Sequence, residues 1–370
     1  MSHASPLREI SHYSWKGDIL SHSEDLDISI IVPAYNVRKY LDKFFECVHE
    51  QTYQGFSLVM VEDCATDDSY ERAKELGAAL GNRFVLLRNE RNLGLSETRN
   101  KGLDWVKTHP TEYVTFLDPD DWFEPDYLKD LHDAAVAFDA DLSISGIVRY
   151  EDGSNHVLAT EMVEYSDELY PDSSLCDDLA FINPCAYAKL YRFEGIKDLR
   201  FRKIKRSEDT CWLFEALPDL KRVKFTNNAL YHYRVRSDSL TGELSDDKYE
   251  SMHEHFAKLL PKFSSGRHAP YREMFECQVF IRSSVGGVTR LAFTDMGRAF
   301  SLARGELKWL DTTMPAWRKN KYLSFGKWKS RTKKQLALKL SAQLYKCHAF
   351  VLFIFAYYLV SNILKKEVRA

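Results

Sequence analysis

Val114-Thr-Phe-Leu-Asp118-Pro-Asp120-Asp121-Trp122 is an apolar run that reads as a buried strand and stops abruptly on three carboxylates. Strand ends in parallel α/β sheets are where ligands bind. Carboxylates crowded at such an end repel one another unless a cation sits between them. The expected tenant is a divalent metal, which would in turn hold phosphates. The competing reading is an acidic turn that caps the next helix.

Working outward, Ile28-Ser-Ile-Ile-Val32 is a β-branched run ended by Pro33 and predicts the first strand. Phe56 to Val61, Phe84 to Leu87 and Tyr113 to Leu117 predict three more. Helical spacing fills the gaps, with Leu41, Phe44, Phe45 and Val48 between the first two strands. Asp67-Asp68-Ser69 starts the next helix, Ser96 another, and Pro125 to Phe138 a fourth. Strands alternating with helices mean βαβ units, a mostly parallel sheet and helices on both faces. Right-handed crossovers put every strand's carboxyl end on one side. Pro33-Ala-Tyr35, Glu62-Asp63 and Asp118-Pro-Asp120 should therefore meet at one crevice. No G-x-G-x-x-G follows the first strand, which removes the dinucleotide fingerprint. From about residue 250 onward the pattern is mostly helical.

The net charge of −3 hides a division. Trp317 to Ala370 holds thirteen Lys/Arg and one acid, a net +12, which leaves −15 on residues 1–316. A basic tail on an acidic body points at an anionic surface: acidic lipid, nucleic acid or a polyanionic polymer. Ala349 to Val360 adds twelve unbroken apolar residues. A bilayer crossing wants about twenty, so an interfacial anchor is expected. A helix buried against the body, or in the seam of a homo-oligomer, is the alternative. Seven scattered cysteines without a C-x-x-C pair suit a reducing compartment. The polar first 26 residues show no signal-peptide pattern and read as a flexible lead-in.

One ordered set of motifs resembles a known family. Val32-Pro-Ala-Tyr-Asn36, Gln51-Thr-Tyr53, Thr66-Asp67-Asp68, Asn92-Leu-Gly-Leu-Ser96, Thr98-Arg-Asn100 and Leu117-Asp-Pro-Asp-Asp-Trp122 arrive in the order seen in family 2 glycosyltransferases. Lys189-Leu-Tyr-Arg192, Glu208-Asp209 and Tyr231-His-Tyr-Arg234 continue the match. The resemblance implies the GT-A fold, a sugar-nucleotide donor and inversion at the anomeric carbon. It implies that Asp63 contacts the donor's base with Tyr35 beside it, and Pro33 counts among the donor-binding residues. Asn92 and Arg99 would lie near the nucleotide, Asp118 and Asp120 would bind metal, and Asp209 would be the base. One departure stands out: the family's Asp-Asp-Gly-Ser after strand two is Glu62-Asp63-Cys64-Ala65 here, so the loop's shape is in question.

The chemistry asks for a neutralised diphosphate, and hard oxygen ligands suit Mn²⁺ or Mg²⁺. It also asks for a base on the acceptor hydroxyl, Asp209 or else Glu208. Arg234, Arg236 and Ser237 would approach the diphosphate as a loop closes, or form an ordinary basic turn. The expected layout is a lead-in over 1–26, a catalytic domain over 27–245 and a helical region over 246–316. A membrane-association segment would cover 317–370. The expected reaction carries a sugar from a UDP-sugar to a glycan or cell-envelope polymer, at the inner face of the cell membrane, with no nucleic-acid partner. A sugar-nucleotide-binding scaffold subunit without turnover is the alternative.

Overall fold

All seven residues of β1 (Ile28–Ala34) are buried, as a strand central to a sheet covered on both faces requires. The computed structural model describes residues 26–363 except 155, 166–168, 229, 237–244, 327, 328 and 331. The expected lead-in, apart from Leu26, lies outside the described residues, and so does Ser237. After β1 come α1 (Leu41–His49), β2 (Phe56–Glu62), α2 (Ser69–Gly77), β3 (Phe84–Arg88), α3 (Leu95–Thr108) and β4 (Tyr113–Phe116). These four strands pair in parallel in the order β3-β2-β1-β4. Pro33 does not end β1 as predicted. Its pairing with β4 stops at Ile31↔Phe116, so the missing N–H of Pro33 falls past that ladder.

Beyond β4 the chain forms β5 (Trp122–Phe123), α4 (Tyr127–Phe138), β6 (Leu142–Ile144), β7 (Ile147–Glu151), β8 (Val157–Glu161) and β9 (Leu169–Tyr170). It continues through β10 (Lys189–Arg192), α5 (Phe193–Ile196), α6 (Glu208–Ala216), β11 (Val223–Phe225) and β12 (Tyr231–Val235). β10 inserts antiparallel between β4 and β6, giving an eight-stranded sheet β3-β2-β1-β4-β10-β6-β11-β9. β12 joins a second sheet, β5-β12-β7-β8, in which His232 pairs with Trp122. That register carries Arg234 to the acidic turn between β4 and β5.

The remainder is helical: α7 (Asp246–Leu259), α8 (Arg272–Val279), α9 (Gly286–Thr294), α10 (Met296–Thr313), α11 (Lys333–Lys346) and α12 (Phe350–Ile363). A π-helical turn, Phe280–Val285, joins α8 to α9. No break at residue 317 marks a detached tail. Trp317, Tyr322, Leu323, Tyr345 and Ile354 are fully buried in the same hydrophobic cluster as β1 and Trp212. Trp317 stacks on Phe280 at 5.6 Å, and the Tyr322 hydroxyl donates to Asp177 at 2.5 Å. The segment is amphipathic, so a charge count sees the lysines and not the inward stripe. Among the described residues no helix is long and apolar enough to cross a membrane.

Candidate active site

The acidic turn begins where β4 runs out. Leu117 still donates its N–H to the Ile31 carbonyl at 3.1 Å, and Asp121 N–H then closes the turn on the Asp118 carbonyl at 3.1 Å. Asp121 is the fastener inside it. Its carboxylate accepts from the Tyr231 hydroxyl at 2.7 Å and the Arg234 N–H at 2.8 Å. Burial, then Asp120 and Asp118, push the Asp121 carboxyl well above its ordinary range. That leaves Asp118 and Asp120 partly exposed at the crevice. Burial pushes Asp118 up to about 6, with Arg99 opposing and Asp120 and Asp209 adding.

Arg99 ties this turn to the start of α6. It is fully buried on α3, with its guanidinium 5.3 Å from the Phe201 ring centroid. Phe201 in turn stacks on Trp212 at 4.6 Å, a rigid aromatic floor. Arg99 reaches Asp209 at 2.6 Å, Asp118 at 3.2 Å and Glu208 at 3.4 Å. Burial disfavours its charge, but Asp209, Asp118 and Glu208 outweigh that and hold it protonated. Glu208 answers differently: burial first, then Asp209, push it up to about 8 against the pull of Arg99. The resemblance associates Arg99 with the nucleotide; here it joins the carboxylates of two distant segments. An excess of acids at two strand and helix ends was the available hint that a buried cation must answer them.

At the neighbouring strand end, Asp63 is held from three directions. It accepts from Asn89 Nδ2 at 2.7 Å and from the N–H groups of Leu93 and Gly94 at 2.8 Å each. Asn89, just past β3, is a site residue that sequence reasoning missed; Lys101 Nζ fixes its carbonyl at 2.9 Å. Cys64 keeps the loop that glycine would ease by adopting φ +57°. Tyr35 is exposed beside this end and Asn92 is exposed on the loop before α3, whereas Pro33 is buried within β1. The Pro33 ring is thus a strand residue, not a surface presented to a ligand.

Arg234 and Arg236 already flank the acidic turn. Arg234 Nε donates to the Asp120 carbonyl at 2.8 Å, and its guanidinium lies 4.7 Å from the Trp122 ring. Arg236 lies 3.3 Å from the Asp120 carboxylate and donates to the Tyr40 hydroxyl at 3.2 Å. Trp122 packs between Arg234 and His232, stacked on the latter at 5.4 Å. One crevice therefore gathers Asp118, Asp120, Arg99, Glu208, Asp209, Arg234 and Arg236.

Among the described residues no group of three or more His, Cys, Asp or Glu stands ready to hold a metal. Two carboxylates on one turn still fit Mg²⁺ or Mn²⁺, which complete their shell with substrate phosphates and water. The Asp118 carboxyl, pushed up first by burial and then by Asp120 and Asp209 against the pull of Arg99, gains from such a cation.

The profile of Glycosyl transferase family 2 matches residues 29–200. Glycosyltransferase GlyA of Streptococcus pneumoniae is 32% identical over 59% of this chain, and the chain spans about a third of its length (32%). Glycosyltransferase GlyG of the same organism is 29% identical over 58% of the chain and 72% of the relative. In architecture the chain resembles residues 1–349 of Staphylococcus aureus TarS bound to UDP-GlcNAc. The TM-score is 0.64 at 18% identity, with 92% of each chain covered. TarS is named a poly(ribitol-phosphate) β-N-acetylglucosaminyltransferase. Ordered motifs, a GT-A sheet and these matches together place residues 29–200 in glycosyl transferase family 2.

Proposed function

We propose that the chain is an inverting transferase that moves a sugar from a UDP-sugar to a hydroxyl of a glycan or cell-envelope polymer. The observation that carries this reading is the Arg99 clamp. One guanidinium holds the strand-end carboxylate Asp118 and the helix-start carboxylate Asp209 in one crevice. Donor-side and acceptor-side groups are thereby pre-positioned, which is where most of a transferase's rate advantage arises.

Asp63, oriented by Asn89 and two amides, is the acceptor for an N–H of the donor's base, with Tyr35 alongside. Asp120 and Asp118 would hold Mn²⁺ or Mg²⁺, which supplies Lewis-acid neutralisation of the leaving diphosphate. Arg234 and Arg236 add positive charge at the same turn. Asp209 pairs with Arg99 at 2.6 Å, while burial and Asp209 push the neighbouring Glu208 carboxyl up to about 8. Asp209 takes the proton of the acceptor hydroxyl as that oxygen bonds to the anomeric carbon. The bond from that carbon to the diphosphate breaks on the opposite face. Positioned proton removal of this kind is worth about 10²–10⁴ in rate.

The chain works at the anionic inner face of the membrane. Val351, Leu352, Phe355 and Leu359 of α12 and Leu336 and Leu340 of α11 are exposed apolar side chains, and basic residues flank them. That combination suits a helix lying on a lipid surface.

UDP release from a panel of UDP-sugars with Mn²⁺ tests the reaction. Asp209→Asn should lower transfer at least 100-fold and leave UDP affinity unchanged, because the base acts on the acceptor. Persistent turnover in Asp209→Asn with loss in Glu208→Gln would exchange the two roles.

A further inference from the structure

A cavity of about 320 Å³ lies between the second sheet and the helical region. None of Asp63, Asp118, Asp120, Glu208 or Asp209 lines it. Its walls are tied to one another. Gln278 of α8 donates to the carbonyls of Ala180 and Ile182 at 3.2 and 2.8 Å. The Tyr345 hydroxyl of α11 donates to the Ser284 carbonyl of the π-helical turn at 3.0 Å, and Phe353 of α12 rests on the Tyr345 ring at 6.4 Å. The space is therefore a fixed feature of the fold.

Much of the lining is hydrocarbon, from Phe181, Ile182, Ile281, Val285, Leu338 and Phe353. Interiors are otherwise close-packed, so an empty space of this size forfeits contacts on every side. Water gains little against such walls, because a buried water needs several polar partners. The room matches about ten water-sized groups of about 30 Å³ each, or a chain of about ten methylenes. One polar corner interrupts the hydrocarbon. Glu161 takes Arg149 at 2.9 Å and Asn183 Nδ2 at 2.9 Å, and the Asn183 carbonyl accepts from Lys189 Nζ at 2.8 Å. Arg149, Arg282 and Lys334 line the cavity with Glu161 and Glu164, three cations against two acids, an excess of one positive charge. An apolar chain ending in a negative charge answers such a lining.

α12 indicates where such a molecule comes from. Phe353 and Tyr357, one turn apart, line the cavity, while Val351, Leu352, Phe355 and Leu359 are exposed on the other side of the helix. One helix thus separates the cavity from the apolar face that lies on lipid. We propose that the cavity binds a single-chain anionic lipid, its chain along the apolar wall and its head held by the basic side chains of the lining. The membrane as source rests on the reading of α12 as a surface helix; the site itself does not.

Calorimetry on the full chain tests this with decanoate, decyl phosphate, hexanoate, decanol and decyltrimethylammonium, each below its micelle concentration. Decanoate or decyl phosphate should bind one to one and raise the melting temperature. Hexanoate, decanol and decyltrimethylammonium should bind at least tenfold more weakly. Tighter binding of decyl phosphate assigns a phosphorylated lipid, and tighter binding of decanoate a fatty acid. Ala337 lines the cavity at an exposed position of α11, so Ala337→Trp closes the mouth and should weaken binding at least tenfold with UDP affinity unchanged. Val285→Phe, which fills the interior, should do the same. Lys334→Gln should lower the preference for decanoate over decanol at least threefold. Serine at Val351, Leu352, Phe355 and Leu359 should leave decanoate binding unchanged, because those side chains face away. Absent saturable binding, wild-type affinity in folded Ala337→Trp or Val285→Phe, equal affinity for decyltrimethylammonium, or loss of binding in a folded serine variant overturns the proposal. Undiminished liposome flotation of the serine variant, with decanoate binding intact, overturns only the membrane reading of α12.

Discussion

Cys64 occupies a left-handed conformation, φ +57°, at the position where the family's loop carries glycine. A non-glycine residue pays roughly 1–2 kcal/mol there, while glycine returns about 0.4–1 kcal/mol through a freer unfolded chain. Cys64→Gly should therefore stabilise the protein by about 0.5–1 kcal/mol, read from the urea midpoint. A lower midpoint would mean that the thiol's contact with the Glu90 carbonyl at 3.7 Å outweighs the strain. Glu208 carries the second expectation at this scale. Its folded carboxyl is pushed from 4.5 to about 8, chiefly by burial and Asp209. Between those values the folded chain holds a proton that the unfolded chain has lost, so stability falls as pH rises through the window. Glu208→Gln, studied without nucleotide or metal, should flatten that fall and be the more stable chain at pH 8. An unchanged slope would assign the dependence to other groups.

At the scale of elements, α3 and α6 do the positioning. α3 buries Thr98, Arg99 and Asn100 in succession, and Asn100 fastens the loop before α6 through the N–H and carbonyl of Phe201 at 2.8 and 2.9 Å. Two helices from distant parts of the chain are thereby locked in register across the site. α12 does the opposite and leaves a face uncovered. Phe350 and Ile354 are buried, whereas Val351, Leu352, Phe355 and Leu359 are exposed. Replacing those four exposed residues by serine should leave the fold intact and reduce binding to anionic liposomes at least tenfold, measured by flotation. High salt should weaken wild-type binding only in part, since screening acts on the lysines and not on apolar burial. Undiminished flotation of the serine variant would move the contact elsewhere.

For the whole molecule, the question is where it can be cut. If the basic segment from Trp317 onward were separable from the acidic body, a chain ending near Met314 would keep its fold. Burial of Trp317, Tyr322, Leu323 and Tyr345 says otherwise. Each large buried side chain contributes about 1.5–3 kcal/mol, so their combined loss rivals the 5–15 kcal/mol that holds a typical domain together. A chain truncated after Met314 should aggregate or lose cooperative unfolding, seen by calorimetry. A soluble truncated chain with an unchanged melting temperature would show that the helical region stands without them.

The sequence by itself determined the alternation of strands and helices, the convergence of three strand ends and the acidic turn. Those features depend on local periodicity and on the fixed hand of crossovers, both visible in a linear string. It left open what answers the carboxylates. Asp118 and Asp209 are 91 positions apart, and only the packing of α3 beneath them brings Arg99 within 2.6–3.2 Å of both. The same limit hid Asn89 behind Asp63, the sealing of Pro33 inside β1 and the absorption of Trp317, Tyr322, Leu323 and Tyr345 into the core. Burial and partnership are properties of surfaces that meet after the chain folds, and neither composition nor net charge records which surfaces those are.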